Sequence, residues 1–491
     1  MKVKIEPNES LKQKVECLGG FIEYNCGGIK KCGKCKIKML SSYVNPTEEE
    51  LNLLSDSEID ENIRLACCHD VSKDERIIEV SEARVGMSIL GAREYRAKTN
   101  SKQEGIGIVV DIGTTTIVIA YINLLNGEIF TEDSFENPQR KYGLDVVTRI
   151  SYCNSNDRTL LVNDIRTAIK ESIISSHHTL KDIKKMIVLG NTVMQYLFMD
   201  KDPRELGVVP FSFRNKNIET FSSNEIFRIA ENFEILVIPS LSAYVGADVV
   251  SGIYFLELLE MNNCILLDLG TNGEMVLISN GILYSTSTAA GPAFEGGNMK
   301  CGVGGINGAI DHAVYKNDSW TFTTINNEKS CGICGSGYIE IIKEALENKI
   351  IDESGNLENE ITVDKFEVSQ DDIRNFQLAK SAISSGLEVL IETAGKKIDE
   401  IEQVFVAGGF GKYSSKESLI ITGVIPTILE DKINVVGNSS LKGGIDMLFD
   451  ANFKNIINKI QRVHRNIELG NNSDFSKKFI ENIGFDYEKN N

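Results

Sequence analysis

The sequence predicts a multidomain α/β protein in which a small cysteine-bearing domain precedes a larger, internally duplicated α/β unit. Three observations support this fold class. Four cysteines near the start have metal-ligand spacing, two similar hairpin segments recur 157 residues apart, and strands alternate with helices along the remaining chain. The length of 491 residues exceeds one compact core and is typical of about three domains.

The four N-terminal cysteines have the spacing of ligands to a two-iron cluster. Three lie in a Cys-x5-Cys-x2-Cys loop and the fourth follows after 31 residues: Cys26, Cys32, Cys35 and Cys67. A 2Fe–2S cluster takes three thiolates from one loop, whereas a zinc ribbon usually shows two separated Cys-x2-Cys pairs. The spacing therefore favours an iron–sulfur centre over zinc or structural thiols. Cys68 is a possible fourth ligand, but the phrase Arg-Leu-Ala-Cys at 64–67 resembles the fourth-ligand segment of ferredoxins and favours Cys67.

Residues 1–82 are predicted to form a β-grasp, 2Fe–2S ferredoxin-like domain. Short apolar strands alternate with an acidic helix, Thr47–Leu54, which has glutamates in its first turn. His69, beside the cysteines, is expected at the surface. Residues 83–104 turn to Arg, Lys, Ser and Gly without apolar periodicity, which predicts a linker. The predicted strands are Val3–Ile5, Lys36–Met39 and Ile77–Val80.

An internal repeat predicts that residues 105–491 form a duplicated, two-lobed α/β unit. The segments 107–120 and 264–277 each contain an apolar strand ending in Asp, a Gly-Thr turn and a returning strand. Two such hairpins indicate related lobes around a shared cleft, at about 105–260 and 261–455, with the tail 456–491 packed on the second lobe. Further helices are predicted at Leu161–His177, Gly337–Glu347 and Asp371–Ala394, further strands at Lys185–Leu189, Ile235–Ile238 and Gln403–Val406, and a helical apolar stripe at Phe475, Phe479, Ile480 and Ile483.

The two hairpins have the composition of a phosphate and magnesium site. Gly113 and Gly270 let the backbone approach phosphate oxygens, and the residues that follow offer N–H groups, hydroxyls and an amide: Thr114, Thr115, Thr116, Thr271 and Asn272. Asp111 and Asp268 end the two strands, where a carboxylate holds Mg²⁺ through water or positions the attacking water, and they are the candidate catalytic residues. A third glycine loop, with Gly408 and Gly409, is the candidate adenosine site.

The paired Asp-x-Gly-Thr hairpins and the Ala-Gly-Gly loop resemble the ATPase superfamily of actin, sugar kinases and heat-shock chaperones. More specific segments, together with the leading ferredoxin-like domain, resemble the ATP-dependent reductive activators of corrinoid proteins. These segments are 137–139, 142–150, 190–192, 244–248, 288–296 and 332–337. The resemblance implies a duplicated RNase H-like, actin-like ATPase fold for the two lobes.

The resemblance also implies an activity, the reactivation of a corrinoid methyltransferase system. An inactive Co(II) corrinoid protein would be reduced to Co(I) by one electron, which passes through the 2Fe–2S cluster, while ATP with Mg²⁺ drives the step. The implied partners are the corrinoid protein, a low-potential electron donor and a second copy of the chain in a homodimer.

Three alternatives stay open on the sequence. A small-molecule kinase with an appended redox sensor would transfer phosphate to a metabolite. An activator of a radical dehydratase-type enzyme would use Cys331 or Cys334 in a four-iron cluster between two chains. A nucleotide-dependent binding module would use its cluster only for structure.

The roles of two further features stay open. Asp248 and Glu295 could be acids that face Mg²⁺ or the γ-phosphate, and the hydroxyl run 285–288 could face the corrinoid partner, with Ser287 near cobalt.

Composition and charge argue against several classes of partner. The formal net charge of −18 opposes binding to nucleic acid or to an anionic membrane surface. The first residues are polar and charged, and no apolar run approaches the roughly 18 residues that cross a bilayer. We therefore expect a cytoplasmic protein whose eleven cysteines are metal ligands or free thiols rather than disulfides.

Overall fold

Most of the chain is described by a computed structural model. The described residues are 2–18, 20–22, 28, 30–31, 33, 35–41, 43–71, 74–82, 95–97, 103–176, 178–408, 415–470 and 472–485. Cys26, Cys32, Gly409 and most of the predicted linker lie outside them.

The strands and helices of the described residues have the following bounds. The strands are β1 Lys2–Ile5, β2 Gly20–Phe21, β3 Lys36–Met39, β4 Ile63–Leu65, β5 Arg76–Glu79, β6 Ser81–Glu82, β7 Ile106–Ile112, β8 Thr116–Asn123, β9 Ile129–Glu136, β10 Ile183–Gly190, β11 Glu219–Ser222, β12 Glu234–Val237, β13 Cys264–Leu269, β14 Gly273–Ser279, β15 Ile282–Thr288, β16 Ala309–Lys316, β17 Ser319–Thr324, β18 Gly332–Ile333, β19 Ile361–Val363, β20 Phe366–Val368, β21 Gln403–Ala407, β22 Ile433–Gly437 and β23 His464–Asn466. The α-helices are α1 Leu11–Cys17, α2 Glu48–Leu53, α3 Asp56–Asp60, α4 Val146–Ser155, α5 Thr159–Ser175, α6 Thr192–Phe198, α7 Ser223–Phe227, α8 Ala247–Phe255, α9 Gly335–Glu347, α10 Gln370–Thr393, α11 Lys416–Ile421, α12 Ser439–Met447, α13 Phe453–Val463 and α14 Ser473–Glu481.

The N-terminal residues form a small antiparallel sheet with the strand order β1-β5-β3-β4. Alternate residues of β1 and β3 point into one apolar core, which α1 and the half-buried Cys67 also contact. Helix α2 begins after Thr47, which forms a capping box with Glu50. The three predicted strands and the predicted acidic helix are confirmed, with bounds that shift by one residue at most of their ends.

The larger part of the chain contains two six-stranded sheets built on one plan. In the first, β9-β8-β7 are antiparallel neighbours, and β10 and β12 continue the sheet parallel to β7. In the second, β15-β14-β13 are antiparallel neighbours, and β21 and β22 continue it parallel to β13. The same order and the same directions occur twice, so the predicted duplication is confirmed. Each sheet then adds a different edge strand, β11 or β23.

Helices and sheets alternate in layers because the central strands are apolar on both faces. On β7, Ile108 and Val110 pack with α4, α5 and α6, whereas Val109 faces a core that includes residues of α8, α12 and α13. On β13, Leu266 enters that same shared core and Leu267 packs with α9, α10 and α11 on the opposite face. The shared core therefore joins the two sheets through one layer of helices.

The C-terminal helix packs on the second sheet unit through polar contacts. Ser381 of α10 donates to the Phe479 carbonyl, and Lys478 forms ion pairs with Glu388 and Glu392 at 2.8 and 2.9 Å. Ile480, one residue of the predicted apolar stripe, is 71% exposed, so the stripe is only partly buried. No helix of the described residues is long and apolar enough to cross a membrane.

Candidate functional site

The two sheets bring their strand-end aspartates to one place. Asp111 lies near the end of β7, opposite Leu189 of the parallel strand β10, and Asp268 lies near the end of β13, opposite Ala407 of β21. Ligands of open α/β sheets bind beyond the carboxyl ends of parallel strands, because side chains from several strands converge there. The duplicated fold therefore brings the two candidate catalytic carboxylates close enough for the charge of Asp111 to raise the pKa of Asp268.

Two further carboxylates complete an acidic group with Asp111 and Asp268. Glu274 pairs with Asp268 across the β13–β14 hairpin and accepts a hydrogen bond from the Gly246 N–H at 3.1 Å. Asp248 lies in the first turn of α8. Burial raises the pKa of Asp111 to about 6, and burial with repulsion from Asp111 and Glu295 raises the pKa of Asp268 to about 7. Burial and mutual repulsion raise the pKa values of Asp248 and Glu274 well above the usual range.

The chemistry of this group fits a bound cation. Among the described residues, no Lys, Arg or His forms an ion pair with any of the four carboxylates, so nothing described neutralises them. No three acidic, His or Cys side chains of the described residues converge closely enough to hold a metal ion by themselves. Mg²⁺ keeps several waters and takes further ligands from substrate phosphates. Carboxylates that do not form a complete ligand set by themselves therefore suit Mg²⁺ carried by a nucleotide.

The two Gly-Thr turns approach each other. The Gly113 N–H donates to the Thr116 carbonyl at 2.9 Å, and the Gly270 N–H donates to the Asn272 carbonyl at 3.1 Å. The hydroxyl oxygens of Thr115 and Thr271 are 3.5 Å apart. Both hydroxyls donate to one carboxylate oxygen of Glu295, at 3.1 and 2.6 Å. Glu295 therefore contacts one turn from each half of the duplicated unit.

Two residues of the segments 137–139 and 142–150 donate hydrogen bonds to the backbone of the first Gly-Thr turn, the one at 113–116. The Asn137 amide donates to the Gly113 carbonyl at 2.8 Å. The fully buried Arg149 guanidinium donates to the Thr114 carbonyl at 2.6 Å and to the Gly143 carbonyl at 2.9 Å. Burial lowers the pKa of Arg149 to about 9, which still leaves the guanidinium charged at neutral pH. These residues fix the shape of the turn without reaching the cleft.

Gly408 directly follows β21 and lies next to Asp268. Its φ is +90°, in the region that favours glycine. A Cβ at this position would lie 2.7 Å from a carboxylate oxygen of Asp268 and 2.7 Å from the Leu269 carbonyl. The predicted adenosine loop therefore begins in contact with the catalytic candidate Asp268, while Gly409 lies outside the described residues.

The described part of the cysteine group also converges. The Sγ atoms of Cys35 and Cys67 are 3.3 Å apart, and the Ala66 N–H donates to the Cys35 carbonyl at 2.8 Å. The hydrogen bond between the thiols lowers the pKa of Cys35 and raises that of Cys67, so without a metal the two sulfur atoms share one proton. Two sulfur atoms this close, on separate segments, fit shared ligation of one cluster.

The cluster-bearing domain contacts the segment that holds the first turn. The Lys12 ammonium donates to the Lys141 carbonyl at 3.1 Å and lies 5.1 Å from the centre of the Tyr142 ring. Lys12 is tied to the cysteine segment, because its N–H donates to the Asp70 carboxylate at 2.8 Å. Lys141 and Tyr142 belong to the same short 3-10 helix, 138–142, that follows Asn137. One continuous set of contacts thus joins the two sites.

Two expectations about individual side chains are corrected. His69 is buried rather than at the surface, because its ring contacts the Glu50 carboxylate at 2.9 Å. In the hydroxyl run, Ser285 and Thr286 are fully buried and bonded to His464 and the Ile467 carbonyl, so the run is not an exposed strip. Ser287 is half-buried and stays open to a partner.

Cys331 and Cys334 have protein partners in this structure. The buried Cys334 thiol donates to the Ile310 carbonyl at 3.2 Å, and the half-buried Cys331 thiol donates to the Asn307 carbonyl at 3.4 Å. Cys334 also precedes α9 as its N-cap residue. These contacts are those of a structural turn.

Sequence reasoning missed Glu274 and Glu50. Glu274 is the one charged residue in the fully buried strand β14, and an acid among apolar strand residues is a usable signal. Glu50 lies in the predicted acidic helix, whose glutamates carry no sequence signal that sets one of them apart as buried. It is buried where it accepts the Leu65 N–H of β4 and contacts His69, which only the tertiary structure reveals.

Comparisons with known protein families agree with this architecture. The profile for a 2Fe–2S iron–sulfur cluster binding domain matches residues 1–72. The profile described as the RACo middle region matches residues 106–261, and that for the C-terminal domain of RACo, the ASKHA domain, matches residues 262–491. Fold and profiles together define an iron–sulfur ATPase of the ASKHA class. The chain belongs to the RACo family, the reductive activators of corrinoid proteins.

Individual relatives show how far the similarity extends. The corrinoid activation enzyme RamQ of Eubacterium limosum is 29% identical over 427 residues, which are 79% of this chain and 72% of that protein. A [Co(II) methylated amine-specific corrinoid protein] reductase of Methanosarcina barkeri is 25% identical over 371 residues, 68% of each chain. The solved structure of a reductive activator for corrinoid,iron-sulfur protein superposes with a TM-score of 0.72 at 24% identity and covers 98% of this chain and 96% of that one, which establishes the shared fold.

Proposed function

We propose that the protein reduces an inactive Co(II) corrinoid protein to Co(I) in a step that depends on ATP. The observation that carries the proposal is the presence of both required sites in one chain, a cysteine pair within a 2Fe–2S domain and an acidic cleft between duplicated Gly-Thr turns. The relative from Eubacterium limosum is named a corrinoid activation enzyme, and the one from Methanosarcina barkeri is named a reductase of a Co(II) corrinoid protein. A kinase would need only the second site.

The redox step balances with one electron. A 2Fe–2S cluster held by the N-terminal cysteines would, once reduced by an external low-potential donor, supply the one electron that converts Co(II) to Co(I). For a one-electron couple, about 59 mV corresponds to a tenfold change in the equilibrium constant, or about 1.4 kcal/mol. A typical coupling free energy of about 1–3 kcal/mol therefore shifts a potential by roughly 40–130 mV. A larger gap between donor and cobalt calls for ATP hydrolysis, which releases ADP and phosphate.

The residues proposed for this activity belong to two sites, one for the cluster and one for the nucleotide. Cys26, Cys32, Cys35 and Cys67 are the proposed cluster ligands. Asp111 and Asp268 are the proposed catalytic carboxylates, which hold Mg²⁺ through water or orient the attacking water. The proposed nucleotide contacts are Gly113, Thr114, Thr115, Thr116, Gly270, Thr271, Asn272, Gly408 and Gly409.

The proposed activity implies particular partners and a cellular location. The proposed partners are a corrinoid protein of a methyltransferase system and a low-potential electron donor, and the proposed assembly is a homodimer. We place the protein in the cytoplasm, where cysteines stay reduced until they bind a cluster. The chain divides, in this proposal, into a ferredoxin-like domain at 1–82, a linker at 83–104 and a two-lobed ATPase at 105–491.

Two substitutions test whether the sites act as separate modules. Cys35→Ser should abolish cobalt reduction and change the cluster spectrum while nucleotide binding stays at the wild-type level. Asp268→Ala should abolish ATP hydrolysis and cobalt reduction while the cluster spectrum stays unchanged. Visible absorption, ATPase rate and Co(II) reduction are measured on each variant. Loss of both the cluster spectrum and nucleotide binding in either variant would contradict the modular assignment.

A further inference from the structure

The N-terminal domain contains a fully buried carboxylate, that of Glu50. Its helix neighbour Glu48 is exposed, so burial is a property of this position and not of the acidic helix start. An ionised carboxylate loses much of its hydration when buried and needs compensating hydrogen bonds. The positions of those hydrogen-bond donors indicate what Glu50 does.

The donors lie on both sides of the proposed ligand Cys67. One carboxylate oxygen accepts a hydrogen bond from the Leu65 N–H at 2.5 Å. The other accepts one from the Thr47 N–H at 2.8 Å and contacts the His69 ring nitrogen at 2.9 Å. Leu65 ends β4 and His69 follows the short 3-10 turn, Ala66–Cys68, that carries Cys67. Glu50 therefore ties both ends of the ligand turn to α2.

A further contact aligns the same turn with the other described ligand. The Ala66 N–H donates to the Cys35 carbonyl at 2.8 Å, and the Cys35 and Cys67 sulfur atoms are 3.3 Å apart. With its two ends held by Glu50 and its first residue held by Cys35, the backbone of the turn is restrained on both sides of Cys67. These hydrogen bonds therefore set where the Cys67 Cα lies relative to Cys35.

The charge of Glu50 acts at short range on this turn. Burial tends to raise its pKa, but hydrogen bonds from His69, Leu65 and Thr47 outweigh burial and leave the pKa below the usual value, so Glu50 is ionised at neutral pH. Among the described residues, no Lys or Arg forms an ion pair with Glu50. Arg64, buried in the same domain, instead donates to the Val44 and Ile59 carbonyls.

We propose that Glu50 is a positioning residue that holds the Cys67 turn in its ligating geometry and lowers the reduction potential of the cluster. Reduction adds negative charge to the cluster, and a fixed carboxylate nearby opposes that addition. A lower potential makes the reduced cluster a stronger donor, which the reduction of Co(II) requires. This inference rests on the proposed ligand role of Cys67.

The direct test compares the cluster potential of Glu50→Gln with that of a matched variant, Glu48→Gln. Both remove one negative charge from the first turn of α2, but Glu48 is exposed. Anaerobic redox titration of the full chain, followed by EPR of the reduced cluster, gives each midpoint potential. We expect Glu50→Gln to weaken electron donation by about tenfold, which for one electron is a rise of about 59 mV. Glu48→Gln should stay close to wild type, since water screens its charge. Equal potentials in the two variants would overturn the electrostatic part of the proposal.

A second variant covers the case in which Glu50→Gln fails to retain its cluster. Glu50→Asp keeps the charge, but its side chain is too short to reach Thr47, Leu65 and His69 together. We expect faster cluster loss to an iron chelator than in the matched Glu48→Asp, with EPR integration as the measure. Equal rates of loss would overturn the positioning role. Cys67→Ser is run alongside: a normal cluster in that variant would refute the ligand assignment itself, whereas a defect there with normal Glu50 variants would refute only this inference.

Discussion

At the scale of single residues, Asp268 is an acid that the native fold holds under repulsion. Burial and the neighbouring carboxylates raise its pKa to about 7, whereas an unfolded chain leaves it near 3.9. Below pH 4 the group is protonated in both states and has no effect on stability. Between pH 4 and 7 the native state binds more protons than the unfolded state, so stability falls as the pH rises.

The corresponding prediction concerns Asp268→Asn, which removes the charge and keeps the shape. Its Tm should exceed the wild-type Tm by at least about 2 °C at pH 8 and by much less at pH 5, without Mg²⁺ or nucleotide. Calorimetry at both pH values gives the two differences, and the ATPase of the variant should be lost. A Tm difference that does not change with pH would contradict the raised pKa.

At the scale of elements, the backbone at Gly408, directly after β21, lies so close to the Asp268 carboxylate that no side chain fits between them. Gly408→Ala should lower affinity for a non-hydrolysable ATP analogue by at least about tenfold, because the new Cβ would push against Asp268 and Leu269. Gly437, at the end of the adjacent strand β22, is the matched control. Its φ is +65°, and a Cβ there would meet no atom within 4 Å.

Gly437→Ala therefore carries only the backbone cost of a positive φ, about 1–2 kcal/mol, and should leave nucleotide affinity near wild type. Isothermal titration with the analogue and a thermal melt of each variant separate the two effects. Similar losses of affinity in both variants would mean that Gly408 matters only for its backbone conformation.

Elements with strong local patterns were predictable from the sequence. The hairpins β7–β8 and β13–β14 combine apolar strands with Gly-Thr turns. The bounds of these strands follow from the runs of apolar residues and from the glycines that form the turns. Strand order within each sheet depends on long-range pairing, which one sequence does not reveal. Glu274 enters the acidic group only because the hairpin register places it opposite Asp268. Glu50 and His69 are buried only because β4 packs over α2.

The tail shows the limit of an apolar pattern. Phe475, Phe479 and Ile480 have helical spacing, and α14 forms, yet Ile480 is exposed. The contact with α10 is instead made by Lys478, Ser381 and the Phe479 carbonyl. Hydrogen bonds and ion pairs, which depend on where two chain segments meet, add to an apolar contact that buries the stripe only in part.

At the scale of the whole molecule, a physical connection runs between the two sites. Asp70, close to the cysteines, binds Lys12, and Lys12 contacts Lys141 and Tyr142 beside the segment that holds the first turn. The Asn137 amide then reaches the Gly113 carbonyl. We expect a nucleotide that reshapes the turn to alter the contacts between the turn segment and the cluster-bearing domain. From these contacts we propose that nucleotide turnover controls electron delivery.

The most direct measurement follows the cobalt spectrum of a purified Co(II) corrinoid protein under anaerobic conditions, with the reduced full-length protein in excess. With Mg²⁺ and ATP, the Co(II) signal should decay and the Co(I) absorption should appear with one electron taken up per cobalt. Without ATP, or with a non-hydrolysable analogue, the signal should persist. Equal reduction with and without ATP, while the cluster is fully reduced in both, would contradict the account.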